Sequence, residues 1–145
     1  IKELYKTSNG KYGAPQMVEG MLLVDKFIEQ ISVIADQRKF VAALIVPAYA
    51  ALEAYAREQG IAFASREELC ADPRIHAYVA QHIDTLQQEL AAYEKIKRFV
   101  LLPQPFTMEA GEITNTLKIK RRVIYQHYAA QIEQMYAEAE AEQRK

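Results

Sequence analysis

The sequence predicts a small α+β domain in which helices flank a mixed sheet of few strands. The first observation is an unbroken apolar run at 40–46, which is typical of a central strand covered on both faces. The second is the alternation of apolar residues over 31–35, which predicts a half-buried strand that forms a hairpin with the first across a turn at 36–39. The third is the helical spacing of apolar residues after Asp72. We therefore expect a central hairpin flanked by helices.

The first half of the chain is predicted to alternate between strands and helices. A short strand over 3–7 leads into turn residues at 8–13, and Pro15 suits the first turn of a helix. The central strand closes before a second helix over 48–59, and Gly60 is expected to end that helix. The apolar face of the first helix is predicted from five residues: Met17, Val18, Met21, Leu22 and Val24.

Two helix start signals follow. Ser65 and Glu68 have the spacing of a capping box, which predicts a short helix. Asp72 and Pro73 form a cap and a first turn, which predict a long helix immediately afterwards. The apolar stripe of this long helix is Ile75, Val79, Ile83, Leu86, Leu90 and Tyr93.

The last third of the chain is predicted to contain a strand, a ribbon and a helix. The strand lies at 97–102, and a tight ribbon over 107–113 turns around Gly111. One final helix is expected to fray beyond Ala137, where alanine and glutamate alternate. Its apolar face is Ile124, Tyr128, Ile132 and Met135.

Composition excludes several classes of protein. The 145 residues favour one domain and carry a net charge of −1, so charge alone would not hold the chain on nucleic acid. Cys70 is the single cysteine, which excludes an internal disulfide and predicts a reducing, cytoplasmic location. No stretch of the sequence has the pattern of a membrane span or a signal peptide. The chain begins with Ile1 rather than methionine, so we expect a piece of a longer protein.

The histidines do not form a metal-binding pattern. His76 and His82 share one predicted helix without the i, i+4 spacing that a metal pair needs, and no cluster of carboxylates or cysteines completes a site. His127 lies in the final helix without a visible partner, so we predict a surface or packing role for it. The sequence therefore predicts no metal site.

The most distinctive stretch is a basic turn before the final helix. Lys118, Lys120, Arg121 and Arg122 crowd the start of that helix, where the helix dipole disfavours each positive charge by a few tenths of a kcal/mol to about 1 kcal/mol. These cations therefore require a compensating anion. Two hypotheses follow: a solvated basic surface turn, or a phosphate-directed lysine on a loop that rigid elements hold in place.

Two motifs carry a resemblance to a known family. Residues 114–122 have the sequence Thr-Asn-Thr-Leu-Lys-Ile-Lys-Arg-Arg, which resembles the C-terminal motif of the AMP-forming acyl-CoA synthetases in its long-chain fatty acid–CoA ligase form. Most of that superfamily has Ser-Gly before the lysine, and Asn115 stands where the long-chain branch has proline. Residues 1–16, with Glu19 shortly after, resemble the segment that follows the interdomain hinge, although Gly13 replaces a bulky apolar residue. The resemblance covers the chain, but only the small C-terminal domain of the family.

The resemblance implies a two-step ligase, of which this chain would be one part. Residues 1–145 would form a single C-terminal lid domain, and the large N-terminal domain that binds the adenylate would be absent from the chain. ATP and Mg²⁺ would activate a fatty acid, and coenzyme A would accept the acyl group. The implied partners are the N-terminal domain, fatty acid, ATP and CoA, with no nucleic acid; peripheral membrane contact of the parent enzyme is left open. The fragment alone is expected to be inactive.

The resemblance also implies roles for five residues. Lys118 would be the catalytic lysine of adenylate formation. Ser8, Asn9, Gly10 and Lys11 would line the path of the CoA pantetheine arm, because a backbone without Cβ lets a narrow tunnel stay open. Asn-Gly is equally typical of a plain hairpin turn, so this simpler interpretation stays open for the four residues.

Two other functions remain as alternatives. One is a non-catalytic interaction module of the same fold, against which the presence of Lys118 argues. The other is a nucleic-acid-binding α+β domain that uses the basic turn near Arg121. The acidic residues of 133–142 and the absence of interleaved aromatic and basic residues argue against that function.

Overall fold

The centre of the fold is a three-stranded mixed sheet, seen in a computed structural model that describes residues 5–6 and 12–143. The strands are β1 (Tyr5–Lys6), β2 (Tyr12–Gly13), β3 (Ile28–Ile34), β4 (Val41–Pro47) and β5 (Ile96–Leu101). β3 and β4 form an antiparallel hairpin, and β5 runs parallel to β4 on its other side. The predicted α+β class with a central hairpin is therefore confirmed. Every residue of β4 is buried, as its unbroken apolar run predicts.

Helices cover both faces of this sheet. They are α1 (Pro15–Leu22), α2 (Tyr49–Glu58), α3 (Arg66–Ala71), α4 (Pro73–Leu86), α5 (Arg121–His127) and α6 (Ala129–Gln143). The first four helices share one buried cluster with the sheet, while α5 and α6 share a second cluster with its opposite face. None of the helices in the described ranges combines the length and apolar character that crossing a membrane requires.

The predicted helix boundaries are confirmed where a cap defines them. Ser65 Oγ accepts a hydrogen bond of 3.1 Å from the backbone N–H of Glu68 at the start of α3. Asp72 Oδ1 accepts one of 2.8 Å from the backbone N–H of Arg74 at the start of α4. Gly60 follows α2 with φ of +71°, a conformation that glycine adopts without the penalty a Cβ would bring.

Burial in α1 and β3 differs from the prediction. Met17 and Val24 are 46% and 75% exposed, because α1 ends at Leu22 and turns a different stripe inward. That buried stripe consists of Pro15, Val18, Glu19 and Leu22. Alternation predicts a half-buried β3, yet Ile34 is buried on the opposite face, where α5 and α6 cover it.

α4 is shorter than its predicted stripe because Gln87 leaves the helix to bind the start of β5. The Gln87 amide oxygen accepts a hydrogen bond of 2.8 Å from Ile96 N–H, and its amide nitrogen donates one of 3.0 Å to Ile96 O. Nearer the middle of β5, Phe99 O forms a hydrogen bond of 3.0 Å with the His76 ring of α4, which also stacks on the Phe99 ring. Side chains of this helical segment therefore cover part of the open edge of β5.

The segment between β5 and α5 has its ribbon later than predicted. Residues 108–111 form a turn instead, with Gly111 at φ of +75° and its N–H donating to Met108 O at 2.9 Å. The antiparallel pairing joins Ile113 to Ile119, around a loop that contains the basic motif. The prediction of a ribbon around Gly111 is therefore wrong. The observed ribbon is the Ile113–Ile119 pairing, and its loop carries Lys118.

The single final helix of the prediction is two helices that meet at Tyr128. Fraying beyond Ala137 is also wrong, since α6 continues to Gln143 and Ala139 is buried. The acidic residues of α6 bind basic residues of the hairpin turn and of β5. These ion pairs are Glu133 with Arg38, Glu140 with Lys39 and Glu142 with Arg98.

Candidate functional site

A short hairpin closed by the Ile113–Ile119 pairing presents Lys118 to solvent. Thr114 N–H donates to Lys118 O at 2.8 Å, and Leu117 N–H donates to Thr114 O at 2.9 Å, which closes a tight turn. Among residues 5–6 and 12–143, no carboxylate pairs with the Lys118 ammonium group. The lysine is therefore available to an anion from outside the described part of the chain.

The Thr114 hydroxyl lies at the centre of this turn. Its Oγ1 accepts hydrogen bonds from Thr116 N–H at 3.3 Å and from Lys118 N–H at 3.1 Å. It also shares a hydrogen bond of 3.0 Å with Thr116 Oγ1. The loop is thus held by bonds within itself, while residues 115–118 are all exposed.

Leu117 has the left-handed backbone conformation, with φ of +66°, and its side chain is 73% exposed. A residue with a Cβ loses about 1–2 kcal/mol in this region, whereas glycine does not. The position immediately precedes Lys118 and holds glycine in the commoner form of the motif that residues 114–122 resemble. The turn, rather than contact with the Leu117 side chain, therefore explains why glycine suits this position.

The base of the hairpin is fixed to α5 through a buried carboxylate. Glu112 is 5% exposed, and its carboxylate binds His127 Nδ1 at 2.9 Å and accepts a hydrogen bond of 3.2 Å from Thr107 N–H. The carbonyl oxygen of Glu112 accepts one of 2.7 Å from Lys120 N–H. His127 therefore has a partner that its own segment does not show, and its half-exposed ring agrees with the predicted surface or packing role.

The anion that the basic turn requires is present within the chain. Arg121 forms a two-point ion pair with Glu19 of α1, with Nη–Oε distances of 2.7 and 3.0 Å. Glu19 is 6% exposed and also accepts a hydrogen bond of 2.7 Å from Val33 N–H, while Arg121 donates to Val33 O at 3.2 Å. The four cations of the motif therefore separate: Arg121 is turned inward, and Lys118, Lys120 and Arg122 are exposed.

The ion pair between Glu19 and Arg121 was not predicted from the sequence, although Glu19 carries a usable signal. It lies on the same helical face as Val18 and Leu22, so a carboxylate falls within an apolar stripe. A buried carboxylate is normally paired, because an unpaired charge in the interior is costly. Its partner, 102 residues away, could not be identified from that signal.

The predicted CoA-binding residues Ser8, Asn9, Gly10 and Lys11 lie outside the described residues. The ribbon on either side of them is described: β1 pairs with β2, and Lys6 O accepts a hydrogen bond of 2.8 Å from Gln37 N–H. The ribbon is thus attached to the turn of the central hairpin, and β2 leads directly into the helix that holds Glu19.

Cys70 and His82 lie away from the lysine loop, one buried in the core and the other paired with a carboxylate. Burial raises the pKa of the Cys70 thiol to about 11, which disfavours the reactive thiolate form. His82 Nδ1 binds Asp25 Oδ1 at 2.7 Å. Within the described ranges, no group of three or more histidine, cysteine or carboxylate side chains could hold a metal ion.

Comparisons with known proteins agree with the motifs. The family model described as "AMP-binding enzyme C-terminal domain" matches residues 3–140. Long chain acyl-CoA synthetase 7, peroxisomal, of Arabidopsis thaliana is 32% identical over 143 residues, which are 97% of this chain and 20% of that protein. Long-chain-fatty-acid–CoA ligase FadD15 of Mycobacterium tuberculosis is 34% identical over 136 residues, 93% of this chain and 23% of that protein.

A solved structure supports the fold. The adenylation and carrier didomain of carboxylic acid reductase from Segniliparus rugosus, in complex with AMP, superposes with a TM-score of 0.76 at 24% identity. The match covers 94% of this chain and 18% of that one. This chain therefore spans about a fifth of the length of the proteins that it resembles.

Proposed function

This chain belongs to the family of AMP-binding enzyme C-terminal domains, and we propose that it is the mobile lid of an ATP-dependent fatty acid–CoA ligase. The observation that carries this proposal is the Lys118 ammonium group, which is exposed, has no ion-pair partner among residues 5–6 and 12–143, and projects from a loop fixed by its own hydrogen bonds. The names of the Arabidopsis and Mycobacterium relatives support an acid–thiol ligase as the complete protein.

In the first step of the proposed reaction, a carboxylate oxygen of the fatty acid attacks the α-phosphorus of ATP. The bond to pyrophosphate breaks, and the acyl-adenylate remains on the N-terminal domain. Negative charge builds on phosphoryl and carboxylate oxygens in this transition state, and the Lys118 ammonium group would stabilise it there. A lysine suits this task because a compact charge on a flexible stem can follow the moving oxygens. Mg²⁺ belongs to the proposal as the ion that accompanies ATP.

In the second step, the CoA thiolate attacks the acyl carbon and AMP leaves. We assign the pantetheine path to Ser8, Asn9, Gly10 and Lys11, presented after the lid has rotated. The ribbon that flanks these residues is bonded to the central hairpin turn, so it would move with the lid as one unit. The lone buried cysteine suits a reducing compartment, and we propose the cytoplasm.

The structure gives less support to the alternative functions. A nucleic-acid interface would use Arg121, but this guanidinium group is turned inward to Glu19. An interaction module would not require an exposed lysine directly after a backbone position with unfavourable φ.

The test of this proposal is Lys118→Ala in the complete enzyme, with Lys120→Ala as the matched control. Loss of one oriented charge should slow adenylate formation by about 10²–10³-fold. Thioester formation from supplied acyl-adenylate should be nearly unchanged. The control should retain both half-reactions, because Lys120 bonds Glu112 O through its backbone N–H, which alanine keeps. Equal losses in both half-reactions would contradict the assignment of Lys118 to the first step.

A second variant tests the assignment of the CoA path separately from the assignment of Lys118. Gly10→Leu in the complete enzyme should preserve pyrophosphate release in the first turnover and abolish thioester formation, because a side chain would block the thiol. The melting temperature of this variant is the control. A large fall, with both half-reactions weakened, would favour the plain hairpin turn. The 145-residue chain alone should release no pyrophosphate from ATP.

A further inference from the structure

We infer that Thr114 is a positioning residue for Lys118, because its hydroxyl group fixes the backbone turn from which the lysine side chain projects. This inference rests on the proposed role of Lys118 in adenylate formation. Thr114 is four residues before the lysine, and its own side chain would not touch the reacting atoms.

The hydrogen bonds of the turn converge on this one residue. Three consecutive backbone N–H groups, those of Thr116, Leu117 and Lys118, all donate to Thr114. The middle one reaches the Thr114 carbonyl oxygen, and the outer two reach Oγ1. Because residues 115–118 are exposed, packing against other elements contributes little to their order. The conformation of the loop therefore depends on Thr114.

The turn contains one strained residue, Leu117, and this strain increases the dependence of the loop on Thr114. Leu117 has a positive φ immediately before the lysine, and an unrestrained leucine would leave that region. A change of φ at Leu117 would swing the Lys118 side chain to a new direction. The Thr114 hydroxyl bonds the N–H groups on both sides of Leu117, so it opposes this change where the turn is weakest.

The chain offers a closely matched set of variants for the complete enzyme. Thr114→Val keeps the shape but removes the acceptor, whereas Thr114→Ser keeps the hydroxyl group. Thr116→Val is the control, because the Thr116 hydroxyl bonds only the Thr114 hydroxyl in the described part of the chain. Lys118→Ala measures how far the rate of adenylate formation falls when the lysine itself is lost.

We expect Thr114→Val to lower kcat for adenylate formation by about tenfold, which corresponds to one net hydrogen bond of about 1.4 kcal/mol. The KM for ATP should not change, because the lysine acts in the transition state. Thr114→Ser and Thr116→Val should stay close to wild type. All three should transfer the acyl group from supplied adenylate at the wild-type rate.

Amide hydrogen exchange provides a readout that is independent of catalysis. The Lys118 N–H should exchange faster in Thr114→Val than in wild type, and Thr114→Ser should restore its protection. Wild-type adenylate formation in Thr114→Val, while Lys118→Ala is impaired, would overturn the inference alone. So would a failure of serine to rescue, or equal losses in both half-reactions. If Lys118→Ala itself left adenylate formation intact, the proposed function would fail and this inference with it.

Discussion

The buried pair between Glu19 and Arg121 allows the strongest test of the structure. The side chains are 8% and 13% exposed, so neither charge has enough water to replace its partner. Within the described part of the chain, Arg121→Met would leave the Val33 N–H as the one remaining partner of the Glu19 carboxylate. Removing one member of such a pair costs about 3–5 kcal/mol. For a chain of this size, that loss corresponds to a fall of about 10–15 °C in melting temperature.

The double variant separates a buried ion pair from two independent contacts. Glu19→Leu combined with Arg121→Met removes both charges, and the remaining cost includes an unsatisfied Val33 N–H, about 1–3 kcal/mol. The combined loss should therefore be at least about 2 kcal/mol smaller than the sum of the single losses. Denaturant unfolding of the four proteins measures this coupling. Arg122→Met is the control, since an exposed cation should change stability by less than about 0.5 kcal/mol. Single losses below about 1 kcal/mol that simply add would refute the buried pair.

Two further predictions concern the start of α4 and the lysine loop. The guanidinium group and backbone N–H of Arg74 hold the pKa of Asp72 down to about 2, from an ordinary value of 3.8. The charged cap therefore stabilises the fold above about pH 4, and this contribution is lost as the pH falls to 2. Asp72→Asn still caps the helix, but its melting temperature should lack this part of the pH dependence. Parallel curves of melting temperature against pH for the wild type and the variant would contradict the prediction. Leu117→Gly should raise stability by about 0.5–1 kcal/mol, because relief of the positive φ exceeds the entropic cost of glycine. Leu117→Ala keeps the Cβ and should show no gain in the same melting experiment.

Local signals in the sequence predicted the parts of the fold that local physics controls. The apolar run of β4 and the caps at Ser65 and Asp72 required no knowledge of distant residues. The motif located Lys118 on a loop, although its catalytic role stays a prediction. The positive φ of Leu117 is different, because leucine itself gives no sign of that conformation and only the hydrogen bonds of the turn impose it.

The side-chain pairs that fix the lysine hairpin could not be predicted from the sequence, for a different reason. Glu112 and His127 are 15 residues apart, and Glu19 and Arg121 are 102 apart. Each side chain is unremarkable in its own segment, and only the packed sheet brings the partners together. The break between α5 and α6 at Tyr128 was hidden because one apolar periodicity continues across it.

The hydrogen bonds at Val33 have a consequence for how this domain meets other surfaces. Val33 lies on the outer strand β3, and its N–H and C=O groups are occupied by Glu19 and Arg121. On the opposite outer strand, His76 occupies Phe99 O. Free backbone groups at the edge of a sheet invite a strand from another molecule to add on, which is a common start of aggregation. Both borders of this sheet are blocked at these points by side chains of its own chain. The proposed rotation of this domain against a larger one would thus not be stopped by strand pairing at these two points.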